Sequence, residues 1–506
     1  MSKKDIGSQA KEGLFWTLFF HGIQFFLRMG SSIILARILF PEDFGLMALA
    51  SIAIQLARRM ANFGFSMVLV QLKEIKQEHL DTVFMLNTFL IGIVATSLYF
   101  AAPFLADFFS NEKLEAIIMV LALDFFLRSF ASVPGATMRR AMRFKEINII
   151  DTASRTCMIV GTVTLAIMGY GVWALVYGTM IGTVVGGTST FIVSRWRPTF
   201  RFRMWALKDC FAFGMWVYVT VFINYGINKI DYFIIGRFLG ATQLGFYERA
   251  FDLMSLPRKR LVKKVNSVVF ATYSRIQDDD KRLVKGLLKV TRYLAVVAFP
   301  IMGWLFLAAP SFIPVVYGEK WLPAVLPLQI MCLSGLFDSF TLLFEPMLQA
   351  RGWVGNQARR KGLYLLVLAG SVYAGIEWGI VGVSIGVAAA SIVHLGLMMN
   401  ITLKRLPITI LQFLGAMRAP LVYSLIMLGV VSMAKWLAEP HFGVHSLETL
   451  LIVSVLAPLT YLGSHYIIRF QDVEDIISEL MGGLKKVLRK VPVVKNMAFV
   501  QKKKKA

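Results

Sequence analysis

Long apolar runs dominate the chain from near Leu14 to residue 468, broken at regular intervals by short polar connections. Stretches such as "IVATSLYFAAPFLADFF" (93–109) and "LLIVSVLAPLTYLGSHYII" (450–468) approach or exceed the roughly 18 residues expected of a spanning helix. About fourteen such runs can be placed, near 14–39, 44–70, 83–105, 115–137, 150–168, 173–194, 210–238, 243–256 with its continuation, 290–315, 322–350, 362–376, 380–401, 417–436 and 448–468. The pattern predicts an all-α polytopic membrane protein.

Composition agrees: 57% of the 506 residues are apolar and 17% are charged, both on the membrane side of soluble averages. The formal net charge of +24 would suit a nucleic-acid partner if it were not so unevenly spread. Of 54 Lys and Arg, 44 fall in segments on the side of the N-terminus, and only Lys113, Lys320 and Lys435 on the other. Such a bias is an orientation signal, predicting both termini in the cytoplasm and a multi-pass protein of the inner (cytoplasmic) membrane, with no nucleic acid as partner. "MSKKDIGSQAKEG" enters the first run without a small-residue cleavage site, and reads as an uncleaved first helix. The connections on the opposite side ("FPEDFG", "GYG", "GAT", "YGEK") are short and build no external domain. Cys157, Cys210 and Cys332 are scattered, with neither disulfide-framework nor metal-ligand spacing.

Residues 11–60 overlay 211–260 without a gap: Trp16 meets Trp216, Arg37 meets Arg237, Leu39 meets Leu239, Gly45 meets Gly245 and Ala50 meets Ala250. "AAPF" at 101 returns as "AAPSF" at 308, and "NEK" at 111 as "GEK" at 318. The unit is about six runs, an even number, so both copies enter from the same side, as in transporters with two parallel lobes around a midplane site. Two six-helix lobes around a central cavity, 1–205 and 206–402, are expected, followed by two additional helices in 403–470 and a basic cytoplasmic tail, 471–506. Gly178, Gly182 and Gly186, with Gly382 and Gly386, form small-residue faces for close helix packing.

Polar residues inside the runs locate the chemistry. His21, Gln24 and Arg28 share one helical face, and a central arginine costs about 2.5–3.5 kcal/mol on insertion scales, so something must offset it. A guanidinium offers a fork of donors suited to phosphate oxygens; the alternative is a structural arginine paired with an acid. In the second copy Asn224, Asn228 and Asp231 again share a face, with Lys229 adjacent. Amides and a carboxylate suit sugar hydroxyls and Lys229 suits phosphate, unless Lys229 and Asp231 simply pair. Asp124 and Arg128 at i, i+4 read as a local ion pair, and Glu248, Arg249 and Asp252 as a structural network. Arg155, Asp338, Glu345 and Glu377 are isolated, the three acids being candidates for coupling protons to transport.

"LARILFPEDFGLMALA" (35–50), "GYGVWALVYGT" (169–179) and "LGFYERAFDLMSLP" (244–257) resemble signatures of the bacterial polysaccharide transporter family, in the multidrug/oligosaccharidyl-lipid/polysaccharide exporter superfamily. The likeness is to the colanic-acid and teichuronic-acid exporter branch of Wzx-like flippases. It implies a twelve-helix core, often with two extra helices, that flips undecaprenyl-diphosphate-linked oligosaccharide repeat units for exopolysaccharide or O-antigen/capsule biosynthesis. The lipid-linked oligosaccharide is then the partner, with a polysaccharide polymerase and assembly proteins around it. The resemblance assigns Arg37, Pro41, Gly45 and Trp173 mainly to architecture. It requires no covalent chemistry and no cofactor, hence no enzyme.

Two other classes fit the sequence less well. A membrane polymerase or ligase needs a substantial external loop, and no phosphate-cradling loop, His-Glu-x-x-His motif or nucleophile elbow is found. A multidrug exporter of the same superfamily shares the fold but not the branch signatures. "QDDDKR" (277–282) reads as a solvated charge run. The tail alternates apolar and basic faces and ends in four lysines, reading as a surface helix on anionic membrane lipids.

Overall fold

A computed structural model describes residues 3–61, 69, 75–199, 202–203, 215–470, 473–474 and 476. The end of the second apolar run, Cys210 and the surface helix read in the tail fall outside the described residues, apart from single positions. All regular structure among the described residues is helical. The first part of the chain forms α1 (Lys3–Ile38), α2 (Pro41–Ala61), α3 (Gln77–Phe108), α4 (Lys113–Ser129), α5 (Ser132–Arg140), α6 (Phe144–Ile167) and α7 (Val172–Ser194). Then come α8 (Met215–Phe238), α9 (Gly240–Arg275), α10 (Asp280–Tyr317), α11 (Val325–Ala350), α12 (Val354–Ala374) and α13 (Gly379–Leu403). A short α14 (Ile410–Gly415) leads to α15 (Arg418–Phe442) and α16 (Leu447–Ile467).

Local chemistry explains the boundaries. Pro41 opens α2 at its first position, where a missing N–H costs nothing, and Glu42 and Asp43 follow in the positive first turn. Asp43 Oδ2 also accepts from the Phe40 backbone N–H at 2.9 Å. The run read at 115–137 lies within one stretch long and apolar enough to cross a membrane (Lys113–Arg140), with a short turn between α4 and α5. Pro134 has no N–H to bond the carbonyl of Phe130, so the chain turns at Phe130–Ala131 and restarts at Ser132. Between α12 and α13, a 3₁₀ turn (Gly375–Trp378) ends at Gly379 with φ +62°. Eleven helical stretches among the described residues are long and apolar enough to cross a membrane, two of them holding a pair of helices: Lys113–Arg140 (α4 and α5) and Val354–Leu403 (α12 and α13). α8 and α9 are long but more polar, carrying Asn224, Asn228, Lys229 and Asp231, and Glu248, Arg249 and Asp252.

The chain divides into two compact units. Unit one holds Met1–Phe251, Ile313–Pro327 and Lys361–Val387. Within it α6 and α7 pack through glycine: a Cβ on Gly178 would lie 1.8 Å from Thr162 Oγ1, and Ser154 Oγ donates to the Gly182 carbonyl at 2.6 Å. The small-residue face therefore serves packing, as its spacing predicts. α2 and α9 cross through a reciprocal pair. A Cβ on Gly45 would meet the Ala241 carbonyl oxygen at 1.7 Å, and one on Gly245 would meet that of Pro41 at 1.9 Å. Each residue meets the repeat partner of the residue its own counterpart meets, the signature of a two-fold contact.

Unit two holds Asp252–Phe312, Leu328–Arg360 and the chain from Ala388. Its core gathers Tyr273, Leu287, Phe344, Met347 and Phe413 from α9, α10, α11 and α14. The two additional helices dock on α10 by polar contacts: Tyr461 Oη donates to the Val296 carbonyl at 3.0 Å, and Trp304 Nε1 to Ser454 Oγ at 3.2 Å.

Candidate functional site

Unit one contains both polar stripes read from the sequence. On α1, Gln24 Nε2 donates to Thr152 Oγ1 of α6 at 3.0 Å, while His21 and Arg28 stand exposed. Phe19 and Phe26, 50% and 74% exposed, point away from Arg28 by roughly 160–180° around a helix of about 3.6 residues per turn. α1 therefore has two uncovered faces, one aromatic and suited to lipid, the other polar and suited to water or a charged ligand. Among the described residues the Arg28 guanidinium meets no acid. Asp151 on α6 is within electrostatic reach of Arg155, Arg139 and His21. Arg155 therefore is not isolated, and its i, i+4 spacing from Asp151 in "DTASR" is the signal in the sequence that pairs them.

On α8 the stripe divides. Asn224 Oδ1 accepts from Lys361 Nζ at 3.1 Å, and Asn228 Nδ2 donates to the Asn224 backbone carbonyl. Lys361, 8% exposed, joins the stripe across 137 residues of sequence, and no local pattern announced it. Lys229 takes another wall, its Nζ 4.0 Å from the Tyr232 ring centroid, a cation–π contact. Asp231 is 4% exposed, and both its oxygens are taken: Oδ2 by the Tyr247 hydroxyl at 2.7 Å, Oδ1 by the Tyr232 backbone N–H at 2.9 Å. No hydrogen bond or ion pair among the described residues joins the α1 and α8 stripes.

The remaining polar candidates separate by environment. Arg128 Nε meets Asp124 Oδ2 at 2.9 Å, the local pair its spacing predicts. Arg249 Nη1 donates to Ser32 Oγ at 2.9 Å, and its guanidinium lies 3.9 Å from the Phe44 ring centroid, a structural network joining α9 to α1 and α2. Asp338 and Glu345 are half-buried on α11 in unit two, whereas Glu377 is exposed in the 3₁₀ turn after α12. In "QDDDKR", Asp279 pairs with Arg282 at 3.2 Å and Asp280 with Arg351. No cluster of metal-binding side chains occurs among the described residues.

The described residues form a helical architecture of two compact units, with charged side chains held in long apolar helices. The solved structure of the lipid II flippase MurJ in an inward closed conformation has this fold, with a TM-score of 0.72 over 91% of this chain and all of its own, at 17% identity. The sequence profile of the polysaccharide biosynthesis protein family matches residues 34–326, more than half of the chain and all three signature stretches. The chain belongs to that family. Lipopolysaccharide biosynthesis protein WzxC of Escherichia coli (strain K12) is 25% identical over 368 residues, 71% of this chain and 74% of its own length. Teichuronic acid biosynthesis protein TuaB of Bacillus subtilis (strain 168) is 25% identical over 405 residues, 79% and 83% of the two chains. The resemblance read from the signatures is thus upheld at the level of the family.

Proposed function

We propose that the chain flips a lipid-diphosphate-linked oligosaccharide repeat unit from the cytoplasmic to the external leaflet of the inner membrane. The observation that carries this reading is Arg28, exposed in the middle of an apolar helix, on the face opposite Phe19 and Phe26 and without an acid among the described residues. A guanidinium so placed is costly unless a ligand uses it, and a diphosphate is the ligand its fork fits. His21 and Gln24 on the same face, and Asn224 and Asn228 on α8, supply donors and acceptors for the sugars nearest the phosphate. Asp231 acts by holding Tyr247 and Tyr232 rather than by touching cargo. In this reading fourteen helices cross the membrane, both termini are cytoplasmic, and residues 1–205 and 206–402 form the lobes whose rocking alternates access. Asp338 and Glu345 are the coupling candidates, and a polymerase takes over the flipped unit. No covalent bond is made or broken.

The test is Arg28→Ala against Arg28→Lys, both expressed in cells depleted of the native protein. Arg28→Ala should abolish export and accumulate the lipid-linked unit on the inner leaflet at near-normal protein abundance, while Arg28→Lys recovers only part. Full export by a stably inserted Arg28→Ala protein would make the arginine structural. Vesicles that pump cationic dyes but move no oligosaccharide lipid would instead favour a multidrug exporter.

A further inference from the structure

Unit one holds a cleft of about 590 Å³ between α2, α3 and α8, with no described α1 residue in its lining. Its walls are almost wholly hydrocarbon, from Ile52, Leu56 and Met60 on α2 and Ile93 and Leu105 on α3. Two small residues, Ala53 on α2 and Ala101 on α3, also line it. The volume is typical of a small-molecule site, but the near absence of polar lining sets it apart from a sugar site. One charged residue is described in its lining, Lys229. Tyr225 also lines it, with its hydroxyl tied to the Ile52 carbonyl at 2.6 Å and its ring 5.3 Å from the Arg59 guanidinium carbon.

The charge in the cleft is not cancelled by a contact ion pair. Asp231 is within electrostatic reach of Lys229, yet its two oxygens are engaged by Tyr247 and the Tyr232 backbone. Lys229 rests on the face of Tyr232, which leaves ammonium protons for a further acceptor. Arg59 adds a second cation at the Tyr225 rim. An apolar channel with cations at its wall is complementary to a single hydrocarbon chain carrying an anionic phosphate. A two-chain phospholipid would leave one chain outside.

We propose that the α2/α3/α8 cleft binds the phosphate-proximal part of the polyprenyl chain of the cargo, with Lys229 facing its phosphate. This rests on the reading of the chain as a lipid-diphosphate flippase, and extends it by dividing the work. The α1 face selects the headgroup and the cleft holds the chain.

The probe is a prenyl diphosphate without sugar, carrying a diazirine on its chain, added to the full-length protein in nanodiscs of zwitterionic lipid. After irradiation, label is expected on peptides bearing Leu56 and Ile93, competed by unlabelled prenyl diphosphate and not by equal phosphatidylglycerol. Lys229→Met should lower labelling about tenfold, and Lys229→Arg should restore most of it. Because a bulky substitution can disturb folding, the cleft is also filled after folding: Ala53→Cys, in a background without Cys157 and Cys210, is treated with a benzyl thiosulfonate. Treated protein should lose the label and untreated protein keep it. Label outside the cleft, or equal competition by phosphatidylglycerol, overturns the proposal while leaving the flippase reading untouched. Cleft labelling combined with undiminished oligosaccharide-lipid export by Arg28→Ala would overturn the headgroup role alone.

Discussion

Arg37 and Arg237 stand 200 residues apart at equivalent ends of α1 and α8, and they perform the same task unequally. Arg37 Nε donates to the Val316 carbonyl at 3.0 Å, and another of its nitrogens donates to Val315. In return Lys320 Nζ donates to the carbonyls of Arg37 and Leu39 at 2.8 and 2.7 Å, and Trp321 Nε1 to that of Ala36 at 2.8 Å. The counterpart is sparse: Arg237 Nη1 reaches Ser110 Oγ at 3.1 Å and lies over the Phe108 ring. By the "NEK"/"GEK" register, Lys113 replaces Lys320 but bonds the Glu42 carboxylate, and Leu114 replaces Trp321 and cannot donate. Helix C-termini leave carbonyls without intrahelical partners. One copy satisfies them with three side chains; the other spends its cation on a surface acid. The two copies place contacts at matching positions but differ in how many hydrogen bonds they make there.

The part of the comparison that is symmetric should also be the most fragile. Gly45 and Gly245 meet backbone carbonyls at 1.7 and 1.9 Å from an added Cβ, and backbone cannot swing aside as a side chain can. Gly45→Val and Gly245→Val are each expected to cost about 3 kcal/mol or more, the upper end of overpacking. Thermal melts of detergent-solubilised protein should show similar, large losses for the two. A large loss for one and none for the other would break the two-fold reading of the crossing.

Much of this was legible beforehand, and the residues show why. Trp16, Arg37, Gly45 and their partners point to the repeat because such residue types rarely match by chance in apolar helices, whereas "FPEDFG" reads as a connection although Pro41, Glu42 and Asp43 already form the first turn of α2. The turn at Phe130–Ala131 interrupts the helix without ending the span Lys113–Arg140, so hydropathy reads the span but carries no sign of the turn set by Pro134. Asn224 and Lys361 could not be joined, since 137 residues separate them and each alone looks like a solvated polar group. Asp231 shares a helical face with Asn224 in projection, yet packing by Tyr247 from the next helix decides what it touches. Helical spacing gives a face; only the neighbouring helix says whether that face is covered.

On the strong side of the comparison, Trp321→Phe keeps the ring beside Phe44, 5.4 Å between centroids, and removes only the donor to Ala36. Trp321 is fully buried, so the orphaned carbonyl should cost about 1–3 kcal/mol. Arg37→Gln should fall in the same range, because two carbonyls lose a charged donor. Arg237→Gln should lose less than about 1 kcal/mol, the usual net worth of a single hydrogen bond at an exposed site. Melting curves of the arginine pair measured side by side check the ranking. Equal losses would mean that the extra bonds around Arg37 contribute nothing beyond what Ser110 and Phe108 supply.

The smallest effect belongs to the ion pair that replaces the Lys320 clasp in the first copy. Lys113 Nζ and Glu42 Oε1 are 3.0 Å apart, with side chains 67% and 43% exposed. Water screens such a pair and two long side chains lose freedom to form it, which limits it to about 0–1 kcal/mol. Lys113→Ala should therefore shift the melt barely at all, and raising salt should erase even that difference. Lys320→Ala leaves the carbonyls of Arg37 and Leu39 without their donor, so its loss should be larger and should survive high salt. If the two lysine variants melt alike at both ionic strengths, backbone capping by Lys320 is no stronger than a surface pair, and the asymmetry between the copies reduces to Trp321 alone.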